Sequence, residues 1–321
     1  MLRIKVVGTG IHVPERVETA EQLASRIGRS AEWIRTRTGV GERRIADRPL
    51  EEMGASAARQ ALGDGPPPDV IVNVSTTPIQ LIPDTSVFIQ HALGYDGIPS
   101  FSIHATCLSF LVGLHTVGSL VHSGGYNRAL LVSTETGTPF RDLAEAESAA
   151  LLGDGAAAAV IERTPEGEES ALLDFRMRTW PTGRDMAEFR GGGIRAQPWL
   201  PQHDPNDFLF RMKGTRIYRL AKGRLAELLF PMIAEAGLTP DSVDWVVPHQ
   251  MSGPGVEAFV EAGFRRARLI NLVNRFGNCI AASLPMALHE MAHRPECRRG
   301  DTIVLAGTGA GVSVACALLR W

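Results

Sequence analysis

Apolar and polar positions along the chain fall into two recurring patterns. Short, nearly uncharged runs such as Val70-Ile-Val-Asn-Val74, Ala129-Leu-Leu-Val-Ser133 and Ile303-Val-Leu-Ala306 have the length and composition of strands covered on both faces. Between such runs lie stretches with helical spacing, residues 108–123 being the most apolar. The order is strand, then a strand-like segment running up to Cys107, then helix, then strand. That alternation predicts βαβ units around a buried, mostly parallel sheet. The run Arg163-Thr-Pro-Glu-Gly-Glu-Glu-Ser170 is polar, is broken by Pro and Gly, and falls near the midpoint. It marks the expected boundary between one half over residues 1–165 and another over residues 166–321.

The two halves share an order of parts. In the first, Val70-Ile-Val-Asn-Val74 is followed by Ala105-Thr-Cys107 opening an apolar helix, then a strand, then Gly153-Asp-Gly-Ala-Ala-Ala-Ala-Val-Ile161. In the second, Trp245-Val-Val-Pro-His249 is followed by Gly277-Asn-Cys-Ile-Ala-Ala-Ser-Leu-Pro285, then Ile303-Val-Leu-Ala306, then Gly309-Ala-Gly-Val-Ser-Val-Ala-Cys-Ala-Leu318. Two copies of one α/β unit are expected, with the helix starts near Cys107 and Asn278 facing a shared centre.

Composition narrows the partners. With 44% apolar and 21% charged residues over 321 positions, the chain is an ordinary globular one, neither disordered nor fibrous. A net charge of −2 leaves no basic field for nucleic acid or an anionic membrane. Runs such as Ala156-Ala-Ala-Ala-Val-Ile161 fall far short of the roughly 20 residues a membrane-spanning helix needs. The opening Met1-Leu-Arg-Ile-Lys-Val-Val-Gly8 places charges where a secretion signal would be apolar, so a cytoplasmic location is expected. Cys107, Cys279, Cys297 and Cys316 form no C-x-x-C pair and no zinc-type cluster, so neither disulfides nor a metal is expected.

Three residues carry candidate chemistry. Cys107 sits where an apolar helix begins, and a helix N-terminus favours a thiolate nucleophile and supplies N–H donors to an oxyanion. Taken alone it fits a small buried apolar residue better. His249 ends a strand, at the edge where α/β sheets place their sites. Asn278 reads most simply as an N-cap for the helix that follows. Together, Cys107, His249 and Asn278 at equivalent junctions form a set that nucleophilic thiol chemistry uses.

The combination resembles the condensing branch of the thiolase superfamily, specifically the 3-oxoacyl-ACP synthase III family. The resemblance runs over essentially the whole chain, through Gly8-Thr-Gly-Ile-His-Val-Pro14, Glu32-Trp-Ile-Arg-Thr-Arg-Thr-Gly-Val-Gly-Glu-Arg43, Ala105-Thr-Cys107, Gly153-Asp-Gly155, Pro248-His-Gln250, Gly277-Asn278 with Ala281-Ala-Ser283, and the glycine-rich last strand. It implies a thiolase-like α/β fold, two pseudo-equivalent halves forming a five-layer α-β-α-β-α sandwich, and a homodimer. Cys107 would accept an acyl group from acyl-CoA or an acyl carrier protein. His249 and Asn278 would assist decarboxylation of a malonyl thioester by donating to the enolate oxygen. Backbone N–H groups of Cys107 and of Gly309 or Ala310 would form the oxyanion hole. No bound cofactor is implied, the phosphopantetheine thioesters being substrates.

The same resemblance assigns Trp33 and Arg37 to the adenine of CoA, where stacking and cation–π contact suit these residue types. Two further arginines of the family pattern are replaced here by Ala146 and Pro254, and an asparagine of the pantetheine site by Ser252. The aromatic residue that limits the acyl pocket is Ile82, which leaves room for a longer or bulkier acyl group. Lys213, Arg216 and Arg219 are a candidate docking face for an acidic carrier. Competing readings fare less well. Gly307-Thr-Gly-Ala-Gly311 lacks the following helix of a dinucleotide site, and Arg190-Gly-Gly-Gly-Ile194 lacks the Lys-Ser/Thr of a P-loop and reads as a loop over the site. Acyl transfer to an oxygen or nitrogen nucleophile, and a non-catalytic partner role, are the alternatives to condensation. Thr76-Thr-Pro-Ile-Gln-Leu-Ile-Pro83 contains no glutamate, which counts against non-decarboxylative condensation.

Overall fold

The computed structural model describes residues 1–201 and 204–321. One sheet has the strand order Ile4–His12, Asp154–Arg163, Arg128–Thr136, Val70–Asn73, Ser100–Ser102. Its last three strands are parallel, and Asp154–Arg163 opposes both its neighbours. The second sheet has the order Trp245–Pro248, Thr302–Gly309, Gly311–Arg320, Ala171–Gly183, the first pair parallel and the other two antiparallel. Both sheets are therefore mixed, where a mostly parallel arrangement was expected. The physical reason is visible between Thr302–Gly309 and Gly311–Arg320, which are joined through Ala310 alone, too short a link for a parallel crossover.

The internal repeat is plain in the pairing. Val70–Asn73 corresponds to Trp245–Pro248, Arg128–Thr136 to Thr302–Gly309, Asp154–Arg163 to Gly311–Arg320, and Ile4–His12 to Ala171–Gly183. Where the first sheet adds Ser100–Ser102, the second has a single parallel bridge from Val246 to Leu269.

Strand alternation sorts the side chains into layers. Ala157, Ala159 and Ile161 of the first sheet and Ile303, Leu305, Ala315 and Ala317 of the second point into one shared core. That core is filled by the helices Ser109–His122 and Ser283–Ala292, through Phe110, Leu114 and Val117 on one and Leu284, Leu288 and Met291 on the other. The opposite parity, Ala156, Ala158 and Val160, packs beneath the helices Leu50–Leu62 and Thr85–Leu93. Val304, Val314, Cys316 and Leu318 likewise face the helix Gly214–Glu235, together with Phe259 from the helix Gly253–Glu261. The result is the expected five-layer α-β-α-β-α sandwich, with strands apolar on both faces because both are covered.

Glycines allow the closest approaches between layers. A Cβ at Gly10 would lie 2.1 Å from the Ala57 carbonyl oxygen and 2.7 Å from the Ala61 nitrogen, both in the backbone of Leu50–Leu62. Backbone cannot yield as a side chain does, so Gly10→Ala is expected to destabilise the fold by about 2–3 kcal/mol. Urea denaturation checks this, and a loss below about 0.5 kcal/mol would show that the helix shifts freely over the strand.

Candidate active site

Cys107 lies in a tight turn between Ser100–Ser102 and the helix Ser109–His122. The Ser109 hydroxyl staples this turn, accepting from the Ala105 N–H at 2.9 Å and donating to the Thr106 carbonyl at 2.7 Å. Thr106 adopts φ 54°, a left-handed conformation that a β-branched residue adopts only under strain. In the second half Ile280 has φ 49°, and it precedes Ser283 by three residues as Thr106 precedes Ser109. Superposing these turns sets Cys107 opposite Ala281 and Asn278 opposite His104. Cys107 and Asn278 are thus not the equivalent positions that the sequence comparison suggested, because a 3-10 turn, Ile280–Ala282, separates Asn278 from its helix.

Strand Trp245–Pro248 delivers His249, whose N–H donates to the Ala306 carbonyl at 2.8 Å. The ring is buried, and Nδ1 is sealed from solvent with no partner. An orphaned acceptor is tolerated better than an orphaned donor, which assigns the proton to Nε2. Gln250 holds this strand end in place. Its Nε2 donates to the carbonyls of Pro248 at 2.7 Å and Ile270 at 3.2 Å, and its Oε1 accepts from the Leu272 N–H at 2.7 Å. Sequence reasoning noted Gln250 beside His249 without assigning it this role.

Asn278 is set by backbone pairing with the other half. Its N–H donates to the Leu151 carbonyl at 2.8 Å, and its carbonyl accepts from the Gly153 N–H at 3.1 Å. The side-chain Oδ1 accepts from the Ile280 N–H at 2.9 Å and from Ser283 Oγ at 3.4 Å. With the oxygen so engaged, the amide NH2 is the free end of the side chain. The N-cap expected of Asn278 is thus a local turn cap ahead of the helix, one that also fixes which end of the amide is available.

Cys107, His249 and Asn278 line one cavity of about 1420 Å3, together with Gly309 and Ala310. A Cβ at Gly309 would meet Thr106 Oγ1 at 2.5 Å, so the residue is held to glycine by the nucleophile's own turn. Charge is scarce here. Burial, with the Glu135 carboxylate adding to it, pushes the Cys107 thiol up to about 12. The thiolate expected from the helix N-terminus is therefore not the resting form, because desolvation outweighs the backbone hydrogen bond that favours the anion. Burial pushes His249 down to about 4, which keeps the imidazole neutral.

Glu135 escaped the sequence reading. It is the penultimate residue of strand Arg128–Thr136, after an apolar run, and is fully buried. Its carboxyl accepts from the N–H groups of Thr76 and Thr77, the latter at 3.0 Å, and from Thr77 Oγ1 at 2.6 Å. Burial pushes it up to about 7, against these bonds and one from the Ala281 backbone. One carboxyl thereby ties the turn carrying Thr76 and Thr77 to the turn that follows Asn278.

The outer candidate residues divide. Arg37 lines the cavity mouth, but it donates to Glu147 from Nε at 2.9 Å and from Nη2 at 2.5 Å, and to Thr215 Oγ1 at 3.0 Å, so its charge is already matched. Trp33 is half-buried against Ala20 and Leu23, with Arg29 5.4 Å from its ring, and does not line the cavity. Ser252 lines it while capping the helix Gly253–Glu261 by accepting from the Gly255 N–H at 3.1 Å. Ile82 is 85% exposed and lies outside this chain's cavity wall, so the structure of one chain does not place it in an acyl pocket. Lys213, Arg216 and Arg219 are exposed at the start of the helix Gly214–Glu235. Gly191, Gly192 and Gly193 border the cavity, their segment tied by the Arg190–Asp207 ion pair at 3.1 Å. Among the described residues no cluster of three His, Cys, Asp or Glu side chains is arranged to hold a metal, and no helix is long and apolar enough to cross a membrane.

Comparisons with known proteins find relatives over the whole chain. Residues 101–181 match the family model described as 3-oxoacyl-[acyl-carrier-protein] synthase III, and residues 233–321 match the model of its C-terminal part. The β-ketoacyl-[acyl-carrier-protein] synthase III of Bradyrhizobium diazoefficiens is 34% identical over 100% of this chain and 99% of its own length. The crystal structure of the 3-oxoacyl-[acyl-carrier-protein] synthase III of Aquifex aeolicus superposes with a TM-score of 0.89 at 30% identity, covering 99% of this chain and all of that one. The priming β-ketosynthase of the R1128 polyketide pathway superposes with a TM-score of 0.87 at 29% identity, covering 98% of this chain and 96% of that one.

The placement of Glu135 predicts thiol reactivity. With the Cys107 thiol near 12, labelling of its peptide by iodoacetamide should climb from pH 7 to pH 10 without levelling off. Glu135→Gln removes the nearby charge, so labelling of Cys107 at pH 8 should become several-fold faster. An unchanged or slower rate, read by peptide mass, would remove Glu135 from the electrostatics of the site.

Proposed function

The chain belongs to the 3-oxoacyl-[acyl-carrier-protein] synthase III family of condensing acyltransferases, and from that premise we propose that it joins an acyl group held on Cys107 to a malonyl-type thioester with loss of CO2. The observation that carries this reading is the convergence of Cys107, His249 and Asn278 on one cavity as three uncharged groups. In the first step the Cys107 sulfur bonds to the thioester carbonyl carbon, and the departing thiol leaves with the proton that Cys107 loses. Gly309 and Ala310, packed against the nucleophile's turn, are the backbone donors assigned to the oxyanion.

In the second step the malonyl carboxylate departs as CO2, and its electron pair becomes an enolate whose oxygen takes the charge. His249 Nε2–H and the free NH2 of Asn278 are the donors assigned to that oxygen. The enolate carbon attacks the acyl-Cys107 carbonyl, the C–C bond forms, and the sulfur leaves to recover a proton. Neutral donors suit this chemistry, since a carboxylate at position 278 would repel the developing charge. We assign the reaction to fatty-acid synthesis or a related specialised-lipid or polyketide route, a scope supported by relatives named for both. CoA or an acyl carrier protein is the thioester carrier, with Lys213, Arg216 and Arg219 the assigned docking face for the latter. The assembly is assigned as a homodimer, a reading supported by the exposed Leu81 and Ile82.

Intact-protein mass after incubation with acetyl-, butyryl- and octanoyl-thioesters of CoA and of carrier protein should show one acyl adduct, absent in Cys107→Ala. Adding malonyl thioester should release CO2 and discharge the adduct. An adduct without CO2 release would favour transfer to an oxygen or nitrogen nucleophile, and no adduct with any donor would favour a non-catalytic partner role. Asn278→Asp should still load the acyl group while its CO2 release falls at least about 100-fold, the cost of losing a preorganised donor. An equal fall in loading would show that Asn278 acts before the enolate.

A further inference from the structure

Among the described residues only Thr106, at φ 54°, and Ile280, at φ 49°, lie in the left-handed region without being glycine. Both are β-branched, and such a conformation persists only where the surroundings over-determine it. Each of the two faces a glycine of the other half. A Cβ on Gly309 would lie 2.5 Å from Thr106 Oγ1, and one on Gly137 would lie 3.2 Å from Ile280 Cδ1. Gly137 directly follows the strand Arg128–Thr136, and Gly309 ends Thr302–Gly309, the counterpart of that strand in the repeat. The contact is therefore made twice, once in each direction across the two halves. Gly137 has φ −83°, which any residue adopts, so what holds this position to glycine is space. The Ile280 side chain takes that space from one side and Leu152, whose Cβ would lie 3.3 Å away, takes it from the other.

We propose that Ile280 is a positioning residue for the condensation step: its side chain, wedged against Gly137, holds the left-handed turn whose N–H fixes the Asn278 amide. The inference rests on the proposed function and adds a residue that acts through Asn278. The Ile280 N–H donates to Asn278 Oδ1 at 2.9 Å, and its aim depends on the turn that residue 280 completes. Without the wedge, an L-residue at 280 relaxes toward the right-handed or extended regions and carries the N–H off the oxygen. The remaining donor to Oδ1, Ser283 Oγ at 3.4 Å, is too distant to orient the amide alone. The amide then loses the partner that tells its oxygen end from its NH2 end. Loading of Cys107 is governed by the other turn, the one built on Thr106, and does not depend on Ile280.

The test compares Ile280→Ala with Ile280→Gly, each read for acyl loading of Cys107 by intact-protein mass and for CO2 release from a malonyl thioester. Alanine removes the wedge and keeps the backbone penalty, so CO2 release should fall about tenfold or more while loading stays within about twofold of wild type. Glycine removes wedge and penalty together, so its CO2 release should stay within about threefold of wild type. Ile280→Val, which shortens the wedge alone, should fall between wild type and alanine. A residue that merely filled space would give the reverse order, since glycine leaves the larger gap. Glycine as poor as alanine, or a loss shared equally by loading and CO2 release, overturns the proposal. In a crystal structure of Ile280→Ala the 280 N–H should have left Asn278 Oδ1, and the bond kept at 2.9 Å would overturn the proposal whether or not wild type releases CO2. A wild type that loads no acyl group, or loads one and releases no CO2, overturns the proposed function itself, so the two failures are told apart.

Discussion

Asn278 donates its N–H to Leu151 and accepts from Gly153, so the loop that carries the amide is joined, backbone to backbone, to the loop leading into Asp154. Neither loop has room for a side chain at the crossing. A Cβ on Gly153 would lie 2.1 Å from the Phe276 carbonyl oxygen, and one on Gly277 2.6 Å from that of Leu151. Gly277 also needs its φ of 67°, which an L-residue adopts at a cost. This interlock fixes Asn278, a residue of the second half, against the first half that supplies Cys107. Asp154 secures it from behind, its carboxyl accepting from the Ala46 N–H at 2.8 Å and from Thr138 Oγ1 at 2.6 Å. The Gly-Asp-Gly motif is therefore a clasp for the site, not a part of its chemistry.

Burial of its ionisable groups decides the charge of a site assembled at such a crossing. The Cys107 thiol at about 12 and the His249 ring at about 4 leave nucleophile and donor neutral at rest. Charge then appears only when a bound thioester carbonyl or a departing carboxylate supplies somewhere for it to go. Glu135 and His249 also set how the site contributes to stability. The Glu135 contribution is complete below its ordinary pKa of 4.5 and is lost as pH rises through about 7. The His249 contribution is complete above 6.5 and is lost as pH falls through about 4. Each loss amounts to about 3 kcal/mol, and the two run in opposite directions over the same interval. Their sum is nearly flat across it, so a buried acid and a buried base together make the site cost about the same at pH 5 as at pH 7.

What the sequence made legible followed from pattern. Uncharged strands, the repeated order of parts and the junctions at Cys107, His249 and Asn278 all rest on periodicity and local turn chemistry, which a single chain displays. What stayed hidden depends on pairing between distant segments. Glu135 sits inside a strand run with nothing local to mark it, and its partners Thr76 and Thr77 lie some sixty positions upstream. The resting protonation of Cys107 turned on burial and on that same carboxyl, whereas the sequence showed only the helix start. The register of the repeat slipped by three residues because the turn before Ser283 is coiled into a 3-10 segment, which residue types alone did not announce. Strand direction failed for a similar reason, since hairpin and crossover differ in the length of a link whose ends the apolar pattern leaves blurred.

The cavity mouth shows how one pairing redirects recognition. Arg37 is spent on Glu147 and Thr215, so it meets an incoming phosphate with its charge already neutralised. Lys213, Arg216 and Arg219 remain exposed, and none of them is in an ion pair among the described residues. They crowd the first turns of the helix Gly214–Glu235, at the positive end of its dipole, where cations weaken a helix. A cluster unfavourable to its own helix gains when an anion docks against it, because the ligand then relieves repulsion as well as adding attraction. At this mouth the exposed cations Lys213, Arg216 and Arg219, and not the paired Arg37, are the ones open to an incoming anion, with Asp142, Glu145, Asp185 and Glu188 grouped beside Lys213.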